Sequence, residues 1–175
     1  GAGTRAVFED VSEEAFDETL QVDLKAPLFL IKYASPRLRD GGRIVNVSSM
    51  GTRVAYPEMA AYSPAKAGLE ALTLLLAPHF GGRGITVNAV CPGFLDTPMT
   101  ARTLEKIMTA TGRSYDHALA DMLATAKQAR LIAPEGVAAR NGCLALAPSP
   151  PGAAQIGRAP ARPPAPAQTR MPSPA

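Results

Sequence analysis

Ile44-Val45-Asn46-Val47-Ser48-Ser49 is a short, mostly β-branched run that stops on two hydroxyls. Bounded by the turn Asp40-Gly41-Gly42 and by a loop from Gly51 to Met59, it reads as a buried strand. A second such run, Ile85 to Val90, closes on Pro92-Gly93. Between them Ala65, Leu69, Leu72 and Leu76 recur at helical spacing from about Ala61 to Phe80, and Gly81, Gly82 and Gly84 end the pattern. Strand, helix, strand at this length predicts a right-handed crossover and hence a parallel sheet. The fold class is α/β, with a doubly wound parallel sheet. In such sheets ligands bind beyond the carboxyl ends of the strands. Ser48-Ser49 and Pro92-Gly93 lie at two of those ends.

Upstream, Ser12 precedes Glu13 and Glu14, a hydroxyl cap followed by carboxylates at the positive end of a helix. Phe16, Leu20, Leu24, Leu28 and Ile31 extend that helix, and Pro27 and Pro36 are expected to kink or break it. Downstream, residues 97–130 read as two short helices. Leu104, Ile107 and Met108 share one face, and Leu119, Met122 and Leu123 another. These faces suit either core packing or an adaptable apolar lid. Pro134-Glu135 opens a further helix whose pattern decays after about Ala139. Nine of the 17 prolines fall from Pro148 onward, so residues 148–175 are expected to be a disordered Pro/Ala-rich tail.

Composition narrows the function classes. The chain has 175 residues, 46% hydrophobic and 19% charged, enough for one globular domain over residues 1–147. No apolar run is long enough to span a bilayer, and no signal segment opens the chain, so the expected setting is cytoplasmic, with no membrane partner. The net charge of +3 belongs to Arg158, Arg162 and Arg170. Removing these three from the 18 basic residues leaves 15 against 15 acidic ones. A neutral body gives no face for nucleic acid. Cys91 and Cys143 form no Cys-x-x-Cys pair, and His79 and His117 are far apart, so no metal site is expected.

Tyr62-Ser63-Pro64-Ala65-Lys66 sets a phenol and an ammonium four residues apart, on one helix face. A cation beside a phenol favours its ionised form, which suits the phenol to give and take a proton. Such a pair also arises on ordinary solvated helices. Its context gives it weight: a strand ends in Ser49, thirteen residues earlier, where a hydroxyl can donate to the same substrate oxygen.

Asn46-Val47-Ser48-Ser49, Tyr62-Ser63-Pro64-Ala65-Lys66 and Val87-Asn88-Ala89-Val90-Cys91-Pro92-Gly93 together resemble the short-chain dehydrogenase/reductases in order and spacing. Ala2-Gly3 resembles the end of that family's Asn-Asn-Ala-Gly motif, and Arg130-Leu131-Ile132-Ala133-Pro134-Glu135 its Arg-Leu-x-x-Pro-Glu segment. The resemblance runs from residue 1 to about 139. It implies a Rossmann-type fold and hydride transfer between NAD or NADP and a carbonyl or secondary alcohol. Tyr62 would be the acid/base, Ser49 would hold and polarise the substrate oxygen, and Lys66 would support Tyr62 and bind the nicotinamide ribose. Ala2, Gly3, Tyr62, Lys66, Pro92, Gly93, Leu95 and Thr97 would contact the cofactor. The segment from Leu104 to Leu123 resembles members acting on 3-oxoacyl or 3-hydroxyacyl thioesters.

The resemblance also implies departures. The chain matches the C-terminal half of the fold, so an N-terminally truncated dinucleotide-binding half is expected. Asp23 stands where the family usually has Asn, and it is set outside the catalytic residues because it would perturb Lys66. The family's closing strand with Thr-Gly and Asp-Gly-Gly has no counterpart in the sequence after Ala139. A complete parent is expected to be a homo-oligomer. A non-catalytic binding protein or remnant on the same fold is the competing reading.

Overall fold

The computed structural model describes residues 6–146, 152 and 154–158. Ser12 caps α1 (Glu13–Leu20) by accepting the Ala15 backbone N–H at 3.2 Å. A π-turn, Gln21–Lys25, then leads directly into α2 (Ala26–Ala34). Of the kink or break expected at Pro27, the structure shows no break but a local change of helix type just before it. Pro27 sits in the first turn of α2, and the wider π-turn before it takes up the helical register that its missing N–H would disturb. Pro36 does end the helical region, in a 3-10 turn at Ser35–Arg37.

β1 (Arg43–Val47), α3 (Tyr62–Gly81) and β2 (Thr86–Cys91) form the predicted crossover. The strands are parallel, with Ile44 opposite Val87 and Val47 opposite Val90. Because side chains alternate across a strand, Ile44 and Val87 face one side with Ala77, Phe80 and Ile31. Val45 and Val90 face the other, against Ile132 and Val137. α4 (Pro98–Thr111) and α5 (Tyr115–Thr125) pack on each other through Leu104, Ala118 and Met122. The apolar faces read from the sequence are thus spent on mutual packing. α6 (Pro134–Leu146) runs beyond Ala139, where its pattern was expected to decay.

The expected disordered tail needs correction in one place. Ile156–Arg158 forms β3 and pairs parallel with β2, giving a three-stranded sheet in the order β1-β2-β3. Two bonds dock it. The Gln155 N–H donates to Oδ1 of the fully buried Asn88 at 2.9 Å, and the Ala89 N–H donates to the Gln155 carbonyl at 2.8 Å. A buried Asn in mid-strand seeks a partner, and a backbone amide supplies it. Apart from Gly152 and residues 154–158, the tail lies outside the described residues. Among the described residues no helix is long and apolar enough to cross a membrane.

Candidate active site

The parallel ladder continues past the ends of β1 and β2. The Ser48 N–H donates to the Val90 carbonyl at 2.8 Å and the Met50 N–H to the Pro92 carbonyl at 2.9 Å. These bonds carry Ser48-Ser49 alongside Pro92-Gly93. Ser49 then caps a 3-10 turn, Met50–Thr52, with its Oγ accepting the Gly51 N–H at 3.0 Å. A hydroxyl that accepts a backbone N–H keeps its own proton available to donate.

α3 begins at Tyr62, which places Lys66 one turn further on, the Nζ lying 5.6 Å from the Tyr62 ring centroid. Lys66 is buried. Its Nζ donates to the Val47 carbonyl at 3.1 Å and pairs with Asp23 Oδ1 at 3.0 Å. Asp23, 2% exposed, lies within the π-turn. Gly68 eases this approach: a Cβ there would lie 2.9 Å from Leu24 Cδ2, so the Leu24 side chain would have to shift.

A cavity of about 290 Å³ opens at these strand ends. It is lined by Ser49, Tyr62, Pro92, Gly93, Leu95 and Thr97, six of the predicted site residues. Lys66 is not on its wall and stands behind Tyr62. Ala2 and Gly3 lie outside the described residues. Much of the remaining wall is apolar: Met50, Met59 and Met99, with Tyr56 and Phe94 packed edge to face at 5.9 Å.

The loop carrying Pro92 to Thr97 is fixed from behind. Gln128 accepts the Phe94 N–H at 2.9 Å and donates to the Phe94 carbonyl at 2.8 Å, and the Ile132 N–H donates to the same carbonyl at 2.9 Å. A Cβ on Gly93 would overlap Gln128 Oε1, so a side chain there would displace this clamp. Thr97 caps α4.

Behind Ser49 lies a charged cluster that the sequence reading did not single out. Glu70 receives hydrogen bonds from Ser48 (2.6 Å), Thr52 (2.8 Å), Arg53 (2.8 and 2.7 Å) and Cys91 (3.3 Å). Burial pushes its carboxyl up, but these donors, Arg53 foremost, outweigh burial and hold it down at about 2. Burial, reinforced by the Glu70 charge, pushes the Cys91 thiol up to about 11, so it is an unreactive core thiol at neutral pH. Because the folded state depresses the Glu70 carboxyl below its ordinary value of about 4.3, it binds that proton less readily than the unfolded chain. Its stabilisation is complete above about pH 4.3 and lost as pH falls through about 2. Urea unfolding at a series of acid pH values is expected to show this loss in the wild type and a flatter profile in Glu70→Gln. Equal slopes in the two proteins would count against the assignment.

The family model described as enoyl-(acyl carrier protein) reductase matches residues 1–147. The chain belongs to the short-chain dehydrogenase/reductase family. This short-chain dehydrogenase/reductase is 47% identical over 88 residues to an uncharacterized oxidoreductase of Thermotoga maritima, covering 49% of this chain and 35% of that protein. It is 31% identical over 149 residues to the monensin polyketide synthase putative ketoacyl reductase of Streptomyces virginiae, covering 83% of this chain and 57% of that one. The solved actinorhodin polyketide ketoreductase with NADPH superimposes with a TM-score of 0.74 at 26% identity, over 90% of this chain and 62% of that one. The chain therefore spans between about a third and somewhat over a half of the two curated relatives.

Within this family member, Asp23 and Glu70 are the groups that sequence reasoning set aside or missed. Both pair with a partner distant in sequence. For Glu70 a signal existed: Lys66, Glu70, Thr73 and Ala77 fall at helical spacing on one buried face, and a carboxylate on such a face requires a counter-charge. Among the described residues no group of three His, Cys, Asp or Glu side chains is placed to hold a metal ion.

Proposed function

We propose that this chain carries the catalytic half of an NAD(P)-dependent oxidoreductase that moves a hydride between a nicotinamide and a carbonyl or secondary alcohol. One observation carries the reading: the Ser49 and Tyr62 side chains line one cavity, with the Lys66 ammonium held directly behind Tyr62. The donor set fits a nicotinamide riboside. An ammonium has three N–H groups, and Val47 and Asp23 take two of those on Lys66. The third suits a ribose hydroxyl. Pro92, Gly93, Leu95 and Thr97 offer a backbone-rich wall for the ring, and Ala2 and Gly3 belong to the same proposed cofactor site. When bound, the nicotinamide supplies or accepts the hydride at its C4. The ketoreductase that this fold resembles contains NADPH, which supports NADP, with NAD the other candidate.

Each residue then has a defined task. Tyr62 gives its phenolic proton to the substrate oxygen as a carbonyl becomes an alcohol, and takes it back in the reverse direction. Lys66 stabilises the negative charge left on the phenol oxygen. Asp23 and the Val47 carbonyl hold the ammonium in place, so its position does not depend on solvent. Ser49 donates its O–H to the same substrate oxygen, while its oxygen accepts from the Gly51 N–H. The methionines and the Tyr56–Phe94 pair exclude water and suit an apolar, extended substrate. We infer 3-oxoacyl or 3-hydroxyacyl thioesters as the class, in keeping with the ketoacyl reductase among the relatives.

The test is a fluorescence titration with NADH and NADPH, followed by turnover on a panel of 3-oxoacyl thioesters and small polar ketones. Saturable binding and preference for the thioesters are expected. Preference for small polar ketones rejects the substrate class. No saturable binding of either cofactor rejects the enzyme reading for these 175 residues, in favour of a non-catalytic protein on the same fold.

A further inference from the structure

We propose that Glu70, locked to Arg53, is a positioning residue for Ser49: it gathers the hydroxyls on both sides of Ser49 onto one carboxylate oxygen and so fixes the direction of the Ser49 O–H into the cavity. The proposal rests on the reading of Ser49 as the group that holds the substrate oxygen.

Ser48 and Ser49 are consecutive in extended backbone, so their side chains face opposite ways. Both residues line the cavity, but the Ser48 hydroxyl is turned to α3 and donates to Glu70 Oε1 at 2.6 Å. Three residues later Thr52 Oγ1 lies 2.8 Å from the same oxygen and 2.9 Å from the Ser49 carbonyl. The single Thr52 hydroxyl proton is shared between these two acceptors, so the backbone on either side of Ser49 is held against one atom on α3, one turn beyond Lys66. Arg53 fills the rest of the carboxylate with a two-pronged pair. The turn between these anchors has no slack. A Cβ on Gly51 would lie 3.2 Å from Met59 Sδ, 3.3 Å from Ser63 Oγ and 3.4 Å from Ser49 Oγ. The Gly51 N–H in turn sets the Ser49 hydroxyl, at 3.0 Å. Only an ionised carboxylate accepts from all these donors at once; an amide at this position would bring an NH₂ against the Ser48, Thr52 or Arg53 donors. Neither Glu70 nor Arg53 lines the cavity, so neither is a catalytic residue.

The Gly51 amide reports the Ser49 orientation directly, and its hydrogen exchange is measured by NMR without cofactor. In Glu70→Gln and Arg53→Met, Gly51 exchange is expected to rise by roughly tenfold or more while amides in the middle of β2 stay protected. Arg53→Lys, which keeps a cationic donor, is expected to recover part of that protection. In turnover the same variants are expected to lower kcat by about tenfold, with KM for NADPH within about twofold of wild type. Should Glu70→Gln fail to fold, Thr52→Val removes one of the two hydroxyl anchors and leaves the buried carboxylate paired. Unchanged Gly51 exchange in folded Arg53→Met and Thr52→Val overturns the proposal. An inactive wild-type chain rejects the proposed function, whereas the Gly51 result is read independently of activity.

Discussion

Replacing Tyr62 by Phe is expected to lower kcat for carbonyl reduction by about 10²–10⁴-fold while leaving the protein folded. The substitution removes one oxygen. Among the described residues the Tyr62 hydroxyl makes no hydrogen bond, so its loss is expected to change stability by no more than about 0.5 kcal/mol. The ring still packs beneath the Lys66 ammonium. What disappears is the phenolic proton proposed to pass to the substrate oxygen. Ser49 remains as a donor, which accounts for the residual rate. Steady-state kinetics beside thermal unfolding checks the prediction. A variant that keeps most of its kcat would mean that another group, or water, is the acid.

Lys66→Met is expected to combine two losses. The ammonium and Asp23 are both buried, 3.0 Å apart. Removing one member of such a pair strands the other charge in a poorly solvated place, at a cost of about 3–5 kcal/mol. Catalysis is expected to fall as well, because the phenol loses its adjacent cation and the ribose its donor. The two losses separate in the double variant Lys66→Met/Asp23→Asn, which removes the stranded charge. Stability is expected to recover in large part and turnover not at all. Equal recovery of both would show that Lys66 acts on the reaction only by keeping α3 and the π-turn together.

The chemistry was legible in the sequence because its parts are local. Ser49 ends a β-branched run, and Tyr62 and Lys66 share a helical face, so spacing places them near one strand end, while the roles proposed for them come from the resemblance to the family. The contacts that hold those parts are long-range, and spacing does not report them. Asp23 reaches Lys66 from within a π-turn that packs its Leu24 side chain against Gly68. Neither the turn nor the close approach leaves a periodic mark. Glu70 and Arg53 are 17 residues apart and meet only once the Met50–Thr52 turn has folded onto α3. β3 was missed for a different reason. Its three residues carry little pattern of their own, sit among prolines and alanines, and gain their partner from Asn88, 67 residues earlier than Gln155.

The central claim is that Ser49, Tyr62 and Lys66 serve a hydride transfer within this cavity. It is tested most directly by giving the protein a nicotinamide cofactor deuterated at C4, on the face that transfers, together with a 3-oxoacyl thioester, and locating the deuterium in the product by mass spectrometry. The account predicts deuterium on the new carbinol carbon, at a rate that collapses in Tyr62→Phe. An alcohol product without deuterium at that carbon, or one formed equally fast by the variant, would contradict it.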